Sequence, residues 1–214
     1  MRARRPLSTR RRPAAAALAR RLARSGVRPN QISILSILFA AAGTACLIAV
    51  PHVGVTARLL LLPAAAVFIQ LRLLANLMDG MIAVEEGRRT PTGELYNDIP
   101  DRLADSLFLV GAGYAVTWFS GAEALGWAAA TAAMATAYVR LLGGAVCVTQ
   151  HFCGPMAKQQ RMALLTAACF ASMIEVLSTY EGRLLAVALV LIIVGSLATF
   201  ARRARLIAAE LRAR

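Results

Sequence analysis

The sequence has few charged and few aromatic residues for a chain of 214 residues. Charged residues make up 16% of it and aromatic residues 6%, whereas hydrophobic residues make up 58%. A soluble globular domain has about 25% charged and about 45–50% apolar residues, and a disordered chain has fewer apolar residues still. The composition therefore excludes both classes and indicates a membrane protein.

Cysteine and lysine are also scarce. The single lysine is Lys158, and no two of the four cysteines have the CxxC spacing of a redox or zinc motif. We therefore expect buried free thiols rather than a disulfide framework. The cysteines are Cys46, Cys147, Cys153 and Cys169.

The net charge of +13 comes almost entirely from arginine, and its distribution argues against nucleic acid as a partner. Ten arginines precede residue 29 and five follow residue 201, so the basic residues flank an apolar middle. No aromatic residues accompany them as a stacking platform for bases. Basic ends around an apolar middle are typical of a protein that contacts anionic membrane lipid, and we expect membrane lipid as a partner.

Six segments are apolar over about the 20 residues that a helix needs to cross a membrane. They are residues 32–50, 59–78, 100–119, 125–148, 162–177 and 184–200. The predicted fold is therefore an all-α polytopic membrane protein with six transmembrane helices.

A further helix is predicted ahead of the first span, over residues 13–24. Leu18 and Leu22 lie on its apolar side, and Arg20 and Arg21 lie on its basic side. A basic amphipathic helix of this kind lies in the membrane interface. The alternative is a frayed, arginine-rich tail.

The domain organisation and the orientation follow from the same pattern. Residues 1–30 form a basic N-terminal segment with the amphipathic helix, residues 31–206 form the six-helix domain, and residues 207–214 form a basic tail. Twenty of the 24 basic residues fall on one side of this arrangement, together with both termini. Because basic residues favour the cytoplasmic side, both termini are predicted to be cytoplasmic. The predicted location is an inner or plasma membrane of the bacterial type.

Seven of the 11 acidic residues lie between positions 76 and 105. Asn76 and Asp79 share a face at the end of the second predicted span, and Asn97, Asp101 and Asp105 share a face at the start of the third. Oxygen ligands from two helix ends suit a hard divalent cation such as Mg²⁺ or Mn²⁺. The sequence thus predicts a metal site at the cytoplasmic side.

A purely structural interpretation accounts for part of this segment. Pro100 fits the first turn of a helix, with Asn97 or Asp98 as its N-cap. Asp98 and Arg102 have the i, i+4 spacing of a solvated ion pair. Capping and pairing leave Asp79, Asp101 and Asp105 unexplained as a group.

The segment reads NLMDGMIAV, then EEGRRTPT, then GELYNDIPD over residues 76–101. It resembles the motif of the CDP-alcohol phosphatidyltransferases, a family of integral membrane phospholipid synthases, which is D-x2-D-G-x2-A-R, eight residues, then G-x3-D-x3-D. Five residues fall on motif positions, namely Asp79, Gly80, Ala83, Gly93 and Asp101.

The resemblance implies transfer of a phosphatidyl group from CDP-diacylglycerol to an alcohol, with release of CMP, in phospholipid biosynthesis. It also implies a homodimer, a cytoplasmic active site and Mg²⁺ or Mn²⁺ as cofactor. Asp101 is the implied catalytic base. The implied metal ligands are Asn76, Asp79, Asn97 and Asp101, with Asp98 as a further candidate.

Three key positions depart from the family motif. Asn76 and Asn97 replace aspartates, and Val84 replaces the arginine. Four motif carboxylates thus become two, so one metal ion or an inactive relative acting as a membrane scaffold are open alternatives. A small transporter is another, because Arg72, Arg140 and Glu175 fall within predicted spans. Candidates for supplying the missing carboxylates are Glu94, Asp98 and Asp105.

Substrate-binding residues are predicted on two grounds. Gly80, Ala83 and Gly93 are small and allow a nucleotide to approach the backbone closely. Arg72 and Arg102 are candidate substitutes for the missing arginine, and each is alternatively a structural ion-pair partner.

By the same resemblance, basic residues in and after the fourth span are associated with the phosphate of the acceptor. Arginine suits bidentate contact with phosphate, and lysine acts as a point charge. Arg140, Lys158 and Arg161 are therefore expected to bind a phosphorylated acceptor such as glycerol 3-phosphate or inositol phosphate. The alternative for Lys158 and Arg161 is that they merely flank a span.

Overall fold

The computed structural model of the chain describes residues 13–24, 29–85, 93–146, 148–178 and 180–213. All regular structure in these ranges is helical, as the sequence predicts. The α helices are α1 (Pro13–Arg24), α2 (Pro29–Ala49), α3 (Val55–Glu85), α4 (Gly93–Ala115), α5 (Glu123–Ala145), α6 (Lys158–Ser178) and α7 (Arg183–Arg212). A short 3₁₀ helix, Val50–His52, follows α2.

Five of these helices, α2, α3, α5, α6 and α7, are long and apolar enough to cross a membrane. The protein is thus rich in apolar helices, as expected for an integral membrane protein. Helix α4 is not among the five in the described part of the chain, because charged residues interrupt its first half. Six spans therefore stay a prediction.

Several helices extend beyond the apolar segments that predict them. Helix α3 continues past residue 78 to Glu85, α4 begins at Gly93 rather than Pro100, and α7 continues to Arg212. The segment predicted as a tail from residue 207 is therefore helical up to that point. Hydropathy marks only the apolar part of a helix, whereas backbone hydrogen bonding continues into its polar ends.

The helices after α1 pack in a closed order, α2, α4, α5, α7, α6, α3 and back to α2. Close approach at the α4–α5 crossing depends on glycine. A Cβ atom on Gly126 would lie 2.7 Å from the carbonyl oxygen of Leu109, and one on Gly113 would lie 2.8 Å from the backbone of Gly126. Small residues are what allow membrane helices to approach this closely.

The two ends of the bundle differ in character. At one end Tyr180 donates a 2.7 Å hydrogen bond to the carbonyl oxygen of Ala115, and the Arg58 guanidinium lies 5.3 Å from the centre of the Tyr180 ring. The opposite end combines the last turns of α3 with the first turns of α4 and α6. Helix α1 packs there, with Ala19 buried against Met78 and its neighbours. The predicted functional residues lie at this second end.

Candidate active site

Two carboxylates of the family motif are buried at the ends of α3 and α4. Asp79 is 3% exposed and Asp101 is 7% exposed. Ser33, on α2, donates a 2.6 Å hydrogen bond to Oδ2 of Asp79. The other oxygen of Asp79 is buried and accepts no hydrogen bond from the described residues.

Lys158, at the start of α6, connects α3 to α4. Its Nζ donates a 2.6 Å hydrogen bond to Oδ2 of Asp101 and a 2.9 Å hydrogen bond to Oδ1 of Asn76. An ammonium group thus lies between two residues that fall on aspartate positions of the family motif. The predicted role of Lys158 in binding the acceptor phosphate stays a prediction.

Arg72, on α3, contacts the same Asp101 side chain and is fully buried. Its Nη2 donates to Oδ1 of Asp101 at 3.0 Å and to the carbonyl oxygen of Asp101 at 2.7 Å. The same nitrogen forms an ion pair with Oδ1 of Asp105 at 2.8 Å. Arg72 therefore joins the first half of α4 to α3 as an ion-pair partner. Its predicted role in substrate binding stays a prediction.

Arg161, one turn after Lys158 on α6, completes the charged cluster. Its Nη2 lies 3.6 Å from Oδ2 of Asp105, and its Nη1 donates to the hydroxyl of Thr136 and the carbonyl oxygen of Met156, each at 3.1 Å. Arg203 donates to the carbonyl oxygen of Thr136 at 2.7 Å. Helices α5, α6 and α7 are thus joined beside the site.

The described cluster contains equal numbers of acidic and basic side chains. A charge that is removed from water needs a partner nearby, because its desolvation is otherwise very costly. Each basic side chain here contacts at least one of the acidic ones. The members are Asp79, Asp101 and Asp105 on the acidic side and Arg72, Lys158 and Arg161 on the basic side, with Asp79 held by Ser33 rather than by a basic side chain.

A second group of charges lies around Asp98, whose side chain is 37% exposed. Arg102 and Arg140 donate to the same oxygen of Asp98, at 3.2 Å and 3.3 Å. The Arg140 guanidinium also lies 5.4 Å from the centre of the Phe152 ring. Asp98 thus forms the predicted pair with Arg102, and its predicted role as a metal ligand stays untested.

A small recess separates the two groups. Its lining includes two arginines and one carboxylate, which favours an anionic group over an apolar one, but the space is too small for a water molecule unless these side chains move apart. The lining residues are Arg102, Asp105, Ser106, Ala133, Met134 and Arg161.

The described residues do not fit the predicted Mg²⁺ or Mn²⁺ centre. Such a cation takes about six oxygen ligands. Both oxygens of Asp101 and the amide oxygen of Asn76 accept hydrogen bonds from the cationic groups of Arg72 or Lys158, which would repel a metal cation. Asp98 is likewise held by Arg102 and Arg140, and Oδ1 of Asp79 accepts no hydrogen bond from the described residues. Within the described ranges no three acidic, histidine or cysteine side chains come together as a metal site.

The structure leaves part of the predicted site undescribed. Gly80 is buried beside Asp79 at the end of α3. The surroundings of Ala83 and Gly93 and the side chain of Asn97 lie outside the described part of the chain, although all three residues belong to helices. Their predicted roles in nucleotide and metal binding stay predictions.

Three contacts involve residues that the sequence analysis does not single out. Ser33 and Thr136 are hydroxyl residues within apolar helices, and such residues commonly hydrogen-bond to neighbouring helices. Arg203 belongs to the C-terminal arginines, yet it is buried and donates to the carbonyl oxygen of Cys153 at 2.9 Å. Its position on the same helix face as Thr199 and Ile207, which are buried, was the available signal.

Comparison with known proteins supports the fold. No protein-family model and no curated protein matches the sequence. The structure is similar to the phosphatidylinositol phosphate synthase of Mycobacterium tuberculosis with CDP-DAG bound, with a TM-score of 0.71, 20% identity, and coverage of 90% of this chain and 92% of that chain.

A second structure of that synthase, in complex with manganese and citrate, also has a TM-score of 0.71, with 19% identity and coverage of 90% and 88%. At this level of identity the likeness establishes the fold. The resemblance found in the sequence is thus confirmed for the architecture of nearly the whole chain.

Proposed function

We propose that the protein transfers a phosphatidyl group from CDP-diacylglycerol to the hydroxyl group of an alcohol and releases CMP, as a step in phospholipid synthesis. The observation that carries the proposal is the burial of Asp79 and Asp101 at the ends of α3 and α4. These are the motif carboxylates, in a chain with the fold of a synthase that binds CDP-DAG.

Asp101 is the proposed general base. It accepts the proton of the alcohol as the oxygen of the alcohol bonds to the phosphatidyl phosphorus and the bond from that phosphorus to CMP breaks. Lys158 and Arg72 each hold one of its carboxylate oxygens, so the side chain has a fixed orientation. A carboxylate has about four lone-pair sites, which leaves room for the hydroxyl of the alcohol.

Lys158 is proposed to contact the diphosphate of the donor. Its ammonium group has three N–H donors, and Asp101 and Asn76 accept two of them. The third can donate to a diphosphate oxygen and offset the charge that grows on the departing CMP. Gly80, Ala83 and Gly93 are proposed to allow the nucleotide close to the backbone of α3 and α4.

The acceptor is proposed to carry a phosphate group. Arg102 and Arg161 place two guanidinium groups around the small recess beside Asp105, which must widen to admit a phosphate. Arg140 adds a third basic group next to Arg102 through Asp98. Guanidinium groups bind phosphate with directed, charge-assisted hydrogen bonds. Glycerol 3-phosphate and inositol phosphate both have a suitable hydroxyl, and the latter would give the product after which the solved neighbours are named.

The site and both termini are proposed to lie on the cytoplasmic side of the membrane, with α4 as the sixth span. The basic N-terminal segment and the arginines of α7 support this orientation. A homodimer is proposed from the resemblance to the family.

A catalytically inactive relative that serves as a membrane scaffold is the second candidate. It is favoured by the loss of motif aspartates at Asn76 and Asn97 and by the engagement of both Asp101 oxygens.

The test is CMP release from CDP-diacylglycerol by purified protein in detergent micelles. The acceptors are glycerol 3-phosphate, inositol phosphate, inositol, serine and glycerol. We expect release only when a phosphorylated acceptor is present. Folded protein that binds CDP-diacylglycerol but releases no CMP with any acceptor would contradict the proposal and support the scaffold.

A further inference from the structure

The position of the Lys158 ammonium group between α3 and α4 is the starting point. It contacts Asn76 on one helix and Asp101 on the other, at distances of 2.9 Å and 2.6 Å. Both positions belong to the motif whose aspartates hold divalent cations in the resembling family. The ammonium group is therefore a monovalent cation between two residues that would share a metal ion.

The residue at position 76 fits this arrangement. An asparagine offers a neutral carbonyl oxygen, which accepts a hydrogen bond from an ammonium group without adding negative charge. An aspartate there would add a fourth carboxylate to three buried ones, of which Asp101 and Asp105 pair with the basic side chains and Asp79 accepts from Ser33. Asparagine at position 76 and lysine at position 158 together carry the same net charge as a carboxylate with a divalent cation.

We propose that the ammonium group of Lys158 takes the place of a divalent cation between α3 and α4, so that this site functions without Mg²⁺ or Mn²⁺. The inference rests on the proposed function for the identity of the substrate, and on the described contacts for the position of the cation. It predicts that a protein with a carboxylate at position 76 and no lysine at position 158 binds a divalent metal ion at this position.

The first experiment measures Mn²⁺ binding by electron paramagnetic resonance, on full-length protein in detergent without substrate. We expect no protein-bound Mn²⁺ in the wild type or in the single variant Asn76→Asp, where the ammonium group remains. The double variant Asn76→Asp/Lys158→Gln should bind Mn²⁺, and the further change Asp79→Asn should abolish that binding. Asn76→Asp/Arg205→Gln is the matched control, because Arg205 is exposed on α7.

Two results would overturn the inference. One is a wild-type protein that binds Mn²⁺ and loses it on Asp79→Asn. The other is a double variant that elutes as folded protein and binds no Mn²⁺. Either would show that the Lys158 ammonium group does not stand in a cation position.

The second experiment separates this inference from the proposed function, by measuring CMP release with EDTA or with Mn²⁺. We expect the wild-type rate of CMP release with EDTA to agree with the rate with Mn²⁺ within a factor of about two. The reason is that the ammonium group of Lys158 already holds the diphosphate by a charge-assisted contact. Release that requires Mn²⁺ would overturn the inference and leave the proposed function in place. Absence of release under both conditions, from protein that also binds no Mn²⁺, would overturn the proposed function and leave the cation assignment supported.

Discussion

The Nζ atom of Lys158 lies 2.6 Å from the Oδ2 atom of Asp101 and joins the first turn of α6 to α4. Arg72 holds the other oxygen of the same carboxylate from α3. Three helices thus determine where the Asp101 side chain points, and each partner offers a separate way to test the account.

Replacing the proposed base removes the proton acceptor and keeps the shape of the side chain. We expect Asp101→Asn to lower kcat by about 10²–10⁴-fold, the usual contribution of general base catalysis. The measurement is CMP release with saturating acceptor.

Glu181→Gln is the control for that variant, because Glu181 pairs with Arg183 at the opposite end of the bundle. It should retain wild-type activity. An Asp101→Asn enzyme with wild-type kcat would remove Asp101 from the mechanism.

Arg102 tests the acceptor side of the site. Its loss removes one guanidinium group from the recess, and a hydrogen bond to a charged group contributes about 1.5–3 kcal/mol. We therefore expect Arg102→Gln to raise KM for a phosphorylated acceptor by about 10–100-fold and to leave KM for CDP-diacylglycerol unchanged. Steady-state kinetics with each substrate varied in turn measure the two KM values. Equal increases in KM for the acceptor and KM for CDP-diacylglycerol would contradict a role specific to the acceptor.

Arg72 tests the stability of the buried cluster. Arg72→Met leaves Asp101 and Asp105 without their shared partner, and removing one member of a buried ion pair costs about 3–5 kcal/mol. Unfolding in detergent, followed by circular dichroism, should show a loss in this range. Arg205→Met, on the exposed side of α7, should change stability by less than about 0.5 kcal/mol. A similar stability of the two variants would contradict a structural role for Arg72.

The α4–α5 crossing gives a prediction that is independent of the charged residues. Gly126→Ala places a methyl group 2.7 Å from the carbonyl oxygen of Leu109, and we expect the free energy of unfolding to fall by about 1–3 kcal/mol, as for other overpacked sites. Gly54→Ala is the matched control, because a Cβ atom there meets nothing within 4 Å. Thermal unfolding of the two variants under the same conditions measures the difference. A Gly126→Ala protein as stable as the Gly54→Ala protein would contradict the close packing of α4 and α5.

The orientation in the membrane is tested by reporter fusions. A fluorescent protein that folds only in the cytoplasm should be bright when it is fused after Arg214, and alkaline phosphatase fused there should be inactive. Inserted between α4 and α5, at Gly121, the phosphatase should be active, because this loop lies at the end of the bundle opposite the site. The reverse pattern would contradict the positive-inside argument.

The sequence predicts most of the helices because apolar segments of sufficient length have few alternatives to a helix in a membrane. A helix is present over the predicted residues 13–24, and its position in the membrane interface stays a prediction. The ends of α3, α4 and α7 were harder to predict, since the polar turns that extend these helices have no hydropathy signal. Asp101 illustrates this difficulty. Hydropathy places it at the edge of a span that begins at residue 100, whereas it lies more than two turns inside α4, which begins at Gly93.

The partners of the charged residues could not be predicted in the same way. The local pair of Asp98 with Arg102 follows from i, i+4 spacing, and the structure confirms it. The contacts of Lys158 with Asn76 and Asp101 join residues 82 and 57 positions apart, which only the packing of the helices brings together.

The measurement that tests the central claim most directly is identification of the lipid product by mass spectrometry. Purified protein would receive CDP-diacylglycerol with deuterated acyl chains and a phosphorylated acceptor. The account predicts a new lipid that contains the deuterated phosphatidyl group joined to the intact acceptor, formed together with CMP. Phosphatidic acid as the sole labelled product, or unchanged CDP-diacylglycerol, would contradict phosphatidyl transfer.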